Sequence, residues 1–344
     1  MRISMDDAEK LWDEPLAELG RLADAAKRDR HGDVVTYIKT YYLNVTNVCK
    51  YACKYCGFRR NVDDSDAYTL SIDQVAAKLT HSPEQLTEVW MSSGLNPALK
   101  FEFYEDLLRT IRQVVPQATI KGFTAVEIDF FATHFALPVE EVIERLIAAG
   151  LGRIPAGGAE IFDLAIRKKI DIKTRPERYL QIHRLFHERG LPTSVTMLFG
   201  HVEQRTHRLK HLQTIRDFQD QGGGFQAIIP LAYQDQNNPL AKRGIRGPSP
   251  VEILKTLAIS RIFLDNVPHV QSFWVDSGEE TTQISLHFGV DDINGTLIEE
   301  NIAHESGAGT ATYQSSAALQ DWIRGAGFVP QERDASFQYL SHDA

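Results

Sequence analysis

The sequence predicts an α/β barrel, and three observations carry that prediction. Strand-like and helix-like segments alternate along most of its 344 residues. Several of the helix-like segments carry start and stop signals of their own. An early Gly-x-Gly-x-x-Gly turn, which would open a doubly wound dinucleotide-binding sheet, is missing from the sequence. The length suits a barrel of about 250 residues with additions.

Residues 7–29 alternate apolar and charged positions at helical spacing, with Leu11, Leu16, Leu19, Leu22 and Ala25 as the apolar set. This predicts one amphipathic helix or two short ones. Strand-like runs follow at 34–44, 88–92, 119–123, 152–155, 193–199, 224–230, 270–276 and 284–288. Helices are expected at 71–80, 101–115, 138–149, 176–189, 206–221 and 250–265, and one more at 316–325 in the tail. Ser71 with Gln74 three residues on has the pattern of a capping box. Pro138 and Pro250 stand where a first helical residue is expected, and Gly150, Gly190 and Gly222 stand just past helix ends. A single domain over 1–344 is expected, with a helical segment at 1–33, the barrel at 34–299 and an extension at 300–344.

Hydrophobic residues make up 43 % and charged residues 24 %, as in soluble globular proteins. No run of about 18 apolar residues is present, so no membrane span is expected. The polar, acidic N-terminus lacks an apolar signal core, and a cytoplasmic protein is expected. The net charge of −9 argues against general nucleic-acid binding. Lys50, Lys54, Arg59 and Arg60 nevertheless crowd one segment, either as a solvated loop or as an anion-attracting rim.

That segment holds all three cysteines of the chain, Cys49, Cys53 and Cys56. Their number is odd and the context is not secretory, so a disulfide framework is disfavoured. The spacing C-x3-C-x2-C directly after the first strand is that of metal ligands. Iron–sulfur clusters normally take four thiolates. Three leave one iron open to a small molecule. The competing readings are a zinc site, which needs a fourth ligand such as His81, an electron-carrying cluster short of its fourth cysteine, and buried unliganded thiols.

The motif and its neighbours resemble the radical S-adenosylmethionine (SAM) superfamily. Within it they resemble the branch of aminofutalosine synthase, the cyclic dehypoxanthine futalosine synthase and the deazaflavin-cofactor synthases. The shared stretches are Asn44-Val-Thr46-Asn47-Val-Cys49, Gly157-Gly-Ala-Glu160, Thr196-Met-Leu-Phe-Gly200-His201-Val-Glu203, and the runs 223–230, 264–266 and 288–296. The runs 121–128, 200–203 and 290–296 are most similar to the aminofutalosine synthases. Two departures are visible: Ser92-Ser93-Gly94-Leu-Asn96-Pro97 stands where the family has Gly-Gly-Leu-His-Pro, and Ala156 stands where a glycine is expected.

The resemblance implies a 4Fe–4S cluster on Cys49, Cys53 and Cys56, with SAM as co-substrate. It implies addition of the 5′-deoxyadenosyl radical to 3-[(1-carboxyvinyl)oxy]benzoate, giving 6-amino-6-deoxyfutalosine for menaquinone. An electron donor such as flavodoxin or ferredoxin is implied as partner. The related cyclase and deazaflavin reactions, a paralogue with another acceptor, and a non-catalytic iron–sulfur or zinc protein are the alternatives. Tyr55 and Phe58 flank the last cysteine; by the same resemblance Phe58 is the aromatic near the adenine, Ser92, Ser93 and Gly94 meet the SAM amino group, and Glu160 meets its ribose or amine. Gly200, Glu203, Gln226 and Ile228 fall on the adenine side. His201 and Asp291, with Asn294 and Thr296, are placed toward the acceptor. For Phe58, Ser92, Ser93, Gly94, Glu160, His201, Glu203 and Asp291 a purely structural role is weighed beside the functional one. Arg261 is expected to tie structure together.

Overall fold

A computed structural model describes residues 2–170 and 173–341. Met1, Asp171, Ile172 and the last three positions of the 300–344 extension lie outside the described residues. The described residues form nine strands: β1 Val34–Ile38, β2 Thr40–Leu43, β3 Glu88–Met91, β4 Thr119–Lys121, β5 Thr193–Phe199, β6 Phe225–Ala232, β7 His269–Val270, β8 Asp292–Gly295 and β9 Val329–Glu332. Every ladder between them is parallel. Three sheets result, ordered β2-β3-β4, β8-β1-β9 and β5-β6-β7. Single parallel bridges link them, Tyr41 to Ile298 and Gln271 to Asp292, and another joins Lys121 in β4 to Arg153. Among the described residues no ladder joins the segment at Arg153 to β5. The contacts there include Leu198 N–H to Glu160 O at 2.9 Å and Thr196 Oγ1 to Ala156 O at 3.1 Å.

The predicted strand 34–44 is broken at Lys39. The Lys39 carbonyl accepts from Thr87 and Glu88 N–H at 2.9 and 3.1 Å. The chain thereby changes partners, from β8 and β9 below the break to β3 above it. The predicted strand 270–276 is only β7, followed by the helix Trp274–Ser277. The predicted strand 284–288 is helical: it ends the helix Glu279–Ser285 and forms the 3-10 turn Leu286–Phe288. A short apolar alternation fits either period, and here packing chose the helix. Gly289 stops it at φ 88°, and a Cβ there would lie 2.7 Å from the Arg261 side chain. The eighth strand is β8, a few residues later.

The helices Ile72–Thr80, Phe101–Val114, Val139–Ala149, Pro176–His187, Arg205–Asp220 and Pro250–Phe263 match the predicted ones within about two residues. Ser71 and Gln74 form the capping box. Pro138 is the residue before its helix, while Pro250 is the first residue inside. The helix Ala125–His134 was not expected: seven of its ten residues are buried, so it lacks the one-sided pattern that reveals a surface helix. The helix Leu164–Ile170 was also missed. The N-terminal segment forms Met5–Lys10 and Leu16–His31, the latter packed on Pro250–Phe263. Among the described residues no helix is long and apolar enough to cross a membrane.

The tail does more than add the helix Ser316–Gly325: β9 pairs with β1 over its whole length. Arg333, buried just beyond β9, ion-pairs with Asp292 at the start of β8. Asp292 also accepts from Thr36 Oγ1 and Gln271 Nε2, both at 2.6 Å. Arg333→Ala should therefore lower stability by about 3–5 kcal/mol, because it strands a buried carboxylate. Urea unfolding measures this, and a loss under about 1 kcal/mol would show that the pair acts like an exposed one.

Candidate active site

The three cysteines sit on a loop that follows β2, at the C-terminal ends of the strands. Backbone bonds hold the loop on both sides. Gly94 N–H donates to Thr46 O at 2.7 Å, Lys50 N–H to Leu95 O at 2.9 Å and Cys49 N–H to Arg60 O at 3.1 Å. A Cβ on Gly94 would lie 2.3 Å from Val48 O, so the loop packs on the end of β3 at a distance only glycine allows. A Cβ on Gly57 would lie 2.3 Å from Glu305 O, which gives the other side of the loop the same tight fit against the C-terminal extension. Asn47 braces the loop internally: Tyr68 N–H donates to its Oδ1 at 2.7 Å, and its Nδ2 donates to Asp66 O at 2.9 Å.

Cys49, Cys53 and Cys56 line one open cavity with Ser92, Ser93 and Gly94. Cys53 is buried and the other two are half-buried. Burial pushes the Cys53 thiol up to about 12, so metal binding must drive its deprotonation. Among the described residues the cavity wall holds no histidine and no fourth cysteine. His81 lies at the end of the helix Ile72–Thr80 before β3, its Nδ1 against Ala77 O at 2.7 Å. It is at the opposite end of the strand from the cysteines, so it is not the fourth ligand of a closed zinc site. The donor set fits a cluster with one iron left open.

Beside the thiols stands a buried polar group that the sequence reading only half anticipated. Tyr55 Oη donates to Glu160 Oε1 at 2.5 Å, and Lys173 Nζ lies 3.1 Å from the same oxygen. Burial opposes ionisation of Glu160, but Lys173 and Tyr55 outweigh it and hold the carboxyl below its ordinary range. Glu160 adopts φ 46°, an unusual backbone for this residue type. Lys173 was not anticipated, since nothing in a polar loop between two helices marks it. Glu127, within a stretch used for the resemblance but given no role, is also here. It accepts from Thr124 N–H at 2.6 Å and Ser93 N–H at 3.3 Å, and burial raises its carboxyl to about 7. It thus fixes the end of β3. Ser93 Oγ in turn accepts from Val45 N–H at 2.8 Å. Phe58 is buried against Tyr68, edge to face, on the wall of the same cavity.

A second part of the cavity, about 830 Å³ of open space, adjoins the first and shares Tyr42, Tyr55, Ser92, Glu160 and Leu231 with it. Thr196 and Leu198 of β5 and Ile229 of β6 line it. Gly200, His201 and Glu203 do not. Gly200 has φ 85°, and a Cβ there would meet Pro248 at 2.5 Å, so packing already demands the glycine. Both ring nitrogens of His201 are used in its own loop, Nε2 to Leu198 O at 3.1 Å and Nδ1 to Val202 N–H at 2.7 Å. Glu203 accepts from Gly200 N–H, His201 N–H and Arg208. Gln226 is near the entry end of β6, where it donates to Ser336 O at 3.0 Å. Ile228 is in the core.

Asp291 requires correction. The eighth strand begins at Asp292, so Asp291 precedes the strand and lies at the end remote from the cysteines. It is buried and bonded to Arg261, to His269 Nδ1 at 2.5 Å and to Val270 N–H at 2.9 Å. Arg261 does tie structure together there, donating also to Gly289 O at 2.8 Å. Asn294 and Thr296 belong to the strand wall, where Thr296 Oγ1 bonds both Thr40 N–H and Thr40 O at 2.8 Å. The residues after β8 that reach the cavity are Glu300, Ile302, Ala303 and Ser306.

Residues 43–215 match the family described as the radical SAM superfamily, and 222–343 match the CofH/MqnC C-terminal region. The chain belongs to the radical SAM superfamily. Its radical SAM relatives include the aminodeoxyfutalosine synthase of Streptomyces coelicolor, 40 % identical over 98 % of this chain and 91 % of that one. The cyclic dehypoxanthine futalosine synthase of the same organism is 37 % identical over 98 % and 86 %. The 5-amino-6-(D-ribitylamino)uracil–L-tyrosine 4-hydroxyphenyl transferase of Methanocaldococcus jannaschii is 32 % identical over 98 % and 97 %. Among solved structures, methylornithine synthase has a similar fold, with TM-score 0.76 and 13 % identity over 96 % of this chain and 94 % of that one. The protein is therefore a radical SAM enzyme. The 4Fe–4S cluster implied by the family would sit on Cys49, Cys53 and Cys56, and when bound it supplies the electron that cleaves SAM to methionine and a 5′-deoxyadenosyl radical.

Proposed function

We propose that the chain is an adenosyl-transferring radical SAM enzyme of the aminodeoxyfutalosine synthase type. SAM is then a co-substrate, and the radical carbon adds to the enol-ether double bond of 3-[(1-carboxyvinyl)oxy]benzoate to form 6-amino-6-deoxyfutalosine for menaquinone. The observation that carries this reading is one continuous cavity running from the three thiols to the ends of β5, β6 and β8. We read the eight parallel strand positions as a (β/α) barrel whose C-terminal mouth holds this cavity. On this reading 1–344 is one unit, 34–299 carries the chemistry, and the enzyme works in the cytoplasm with a flavodoxin- or ferredoxin-like donor.

The roles we assign follow from position. Ser92, Ser93 and Gly94 hold the SAM amino group beside the thiols. Glu160, oriented by Tyr55 and Lys173, meets the ribose hydroxyls or the amine. Thr196, Leu198 and Ile229 form the adenine side. For addition to win over hydrogen abstraction, the alkene carbon must rest about 3–3.5 Å from the radical carbon with other C–H bonds held away. The apolar wall of Leu231, Phe273, Ile302 and Ala303 excludes water from that space.

A second reading keeps the chemistry and changes the acceptor. It is favoured by the absence of any arginine, lysine or histidine among the described residues lining the outer cavity. A dicarboxylate calls for such a partner. Reduced enzyme incubated with SAM and 3-[(1-carboxyvinyl)oxy]benzoate, read by product mass, decides between them. An adenosyl adduct with loss of the carboxyl group as bicarbonate supports the first reading. SAM cleavage to free 5′-deoxyadenosine alone supports the second.

A further inference from the structure

The outer cavity holds three carboxylates, and they are not equivalent. Glu160 is paired by Lys173 and Tyr55. Glu300 accepts from Ala303 N–H at 2.9 Å and pairs with His304 Nδ1 at 2.8 Å. Asp276 lines the cavity, and its carboxylate makes no hydrogen bond or ion pair with any described residue. Its position is nonetheless set. It lies in the helix Trp274–Ser277 directly after β7, and Gln234 Nε2 donates to its main-chain oxygen at 3.0 Å. Burial and the neighbouring Glu300 push its carboxyl well above the ordinary range.

Five aromatic residues line the same cavity. Tyr42 and Trp90 pack with ring centroids 5.3 Å apart, and Tyr55, Tyr233 and Phe273 also line the cavity among aliphatic and polar residues. Aromatic faces attract cations and do nothing for anions. A buried carboxylate without a partner is costly to ionise, and a cation brought beside it removes that cost. A carboxylate brought to the same place faces the Glu300 charge, keeps Asp276 from ionising, and finds no cation among the described lining residues.

We propose that Asp276 selects an acceptor bearing a protonated amine at the aromatic end of this cavity, in place of a second carboxylate. This rests on the reading that the acceptor lies in this cavity above the thiols, and it deepens the second reading above.

The test uses two probes of one shape, 3-[(1-carboxyvinyl)oxy]benzoate and its analogue with an aminomethyl group in place of the ring carboxylate. Their affinities for cluster-replete enzyme with SAM are measured by anaerobic equilibrium dialysis without reductant, so that no turnover occurs. The amine probe should bind about tenfold to hundredfold more tightly than the dicarboxylate, the range expected for one charge-assisted bond. Asp276→Asn should bring the two affinities within about threefold of each other. Tighter or equal binding of the dicarboxylate by the wild type, binding of neither probe, or an unchanged ratio in Asp276→Asn would each overturn the proposal. SAM cleavage after reduction of the same wild-type preparation reports separately on the radical reading, so the two can fail independently.

Discussion

Cys53→Ala should abolish SAM cleavage while leaving the fold in place. Reconstituted wild type should carry about four iron and four sulfide per chain, and the variant close to none. The physical reason is the lack of a substitute ligand, since the described cavity wall offers no fourth cysteine and no histidine. The fold should survive because the loop is held through its backbone: Lys54 N–H donates to Ile170 O at 2.9 Å and Cys56 N–H to Cys53 O at 3.2 Å, neither involving a thiol. Iron content, anaerobic SAM turnover and far-UV circular dichroism make the comparison. Turnover at the wild-type rate would sink the assignment of these three residues.

Glu160→Ala should weaken SAM binding by about tenfold to hundredfold. A buried charge-assisted hydrogen bond is worth about 1.5–3 kcal/mol, and each 1.4 kcal/mol is about a factor of ten. Glu160 is suited to such a bond because Lys173 and Tyr55 keep it ionised and aimed despite its burial. Both engage Oε1, which leaves Oε2 for a ligand. Glu160→Gln retains the shape and removes the charge, so a loss in both variants points to the charge and a loss in Ala alone to packing. Dialysis with SAM under anaerobic conditions measures it. An affinity unchanged in both variants would reduce Glu160 to an anchor for Tyr55 and Lys173.

Local signals were legible where the chemistry is local. The three cysteine positions, the capping box at Ser71 and Gln74, and the helix at 316–325 need only neighbours in the chain to be read. The family was legible for the same reason, since its stretches are contiguous. Errors began where one short pattern served two structures. The alternating Ile284, Leu286 and Phe288 read as the last strand, and that displaced β8. The displacement carried Asp291 to the wrong end of the strand, because the end of a parallel sheet on which a residue falls depends on whether it precedes or follows its strand.

By itself the sequence determined that three thiolates share one loop after the first strand, that helices alternate with strands, and which superfamily follows. Only the tertiary structure decided that Lys173 and Tyr55 converge on Glu160, that β9 pairs with β1, and that Asp276 faces a cavity with no cationic partner among the described residues. The reason is distance along the chain. A ligand motif and a helix cap are satisfied within a few residues, whereas Tyr55 and Glu160 lie 105 positions apart and meet only when the strands between them have stacked. Which buried charge finds a partner is settled by that stacking, since the cost of leaving one unpaired is felt only once water has been excluded.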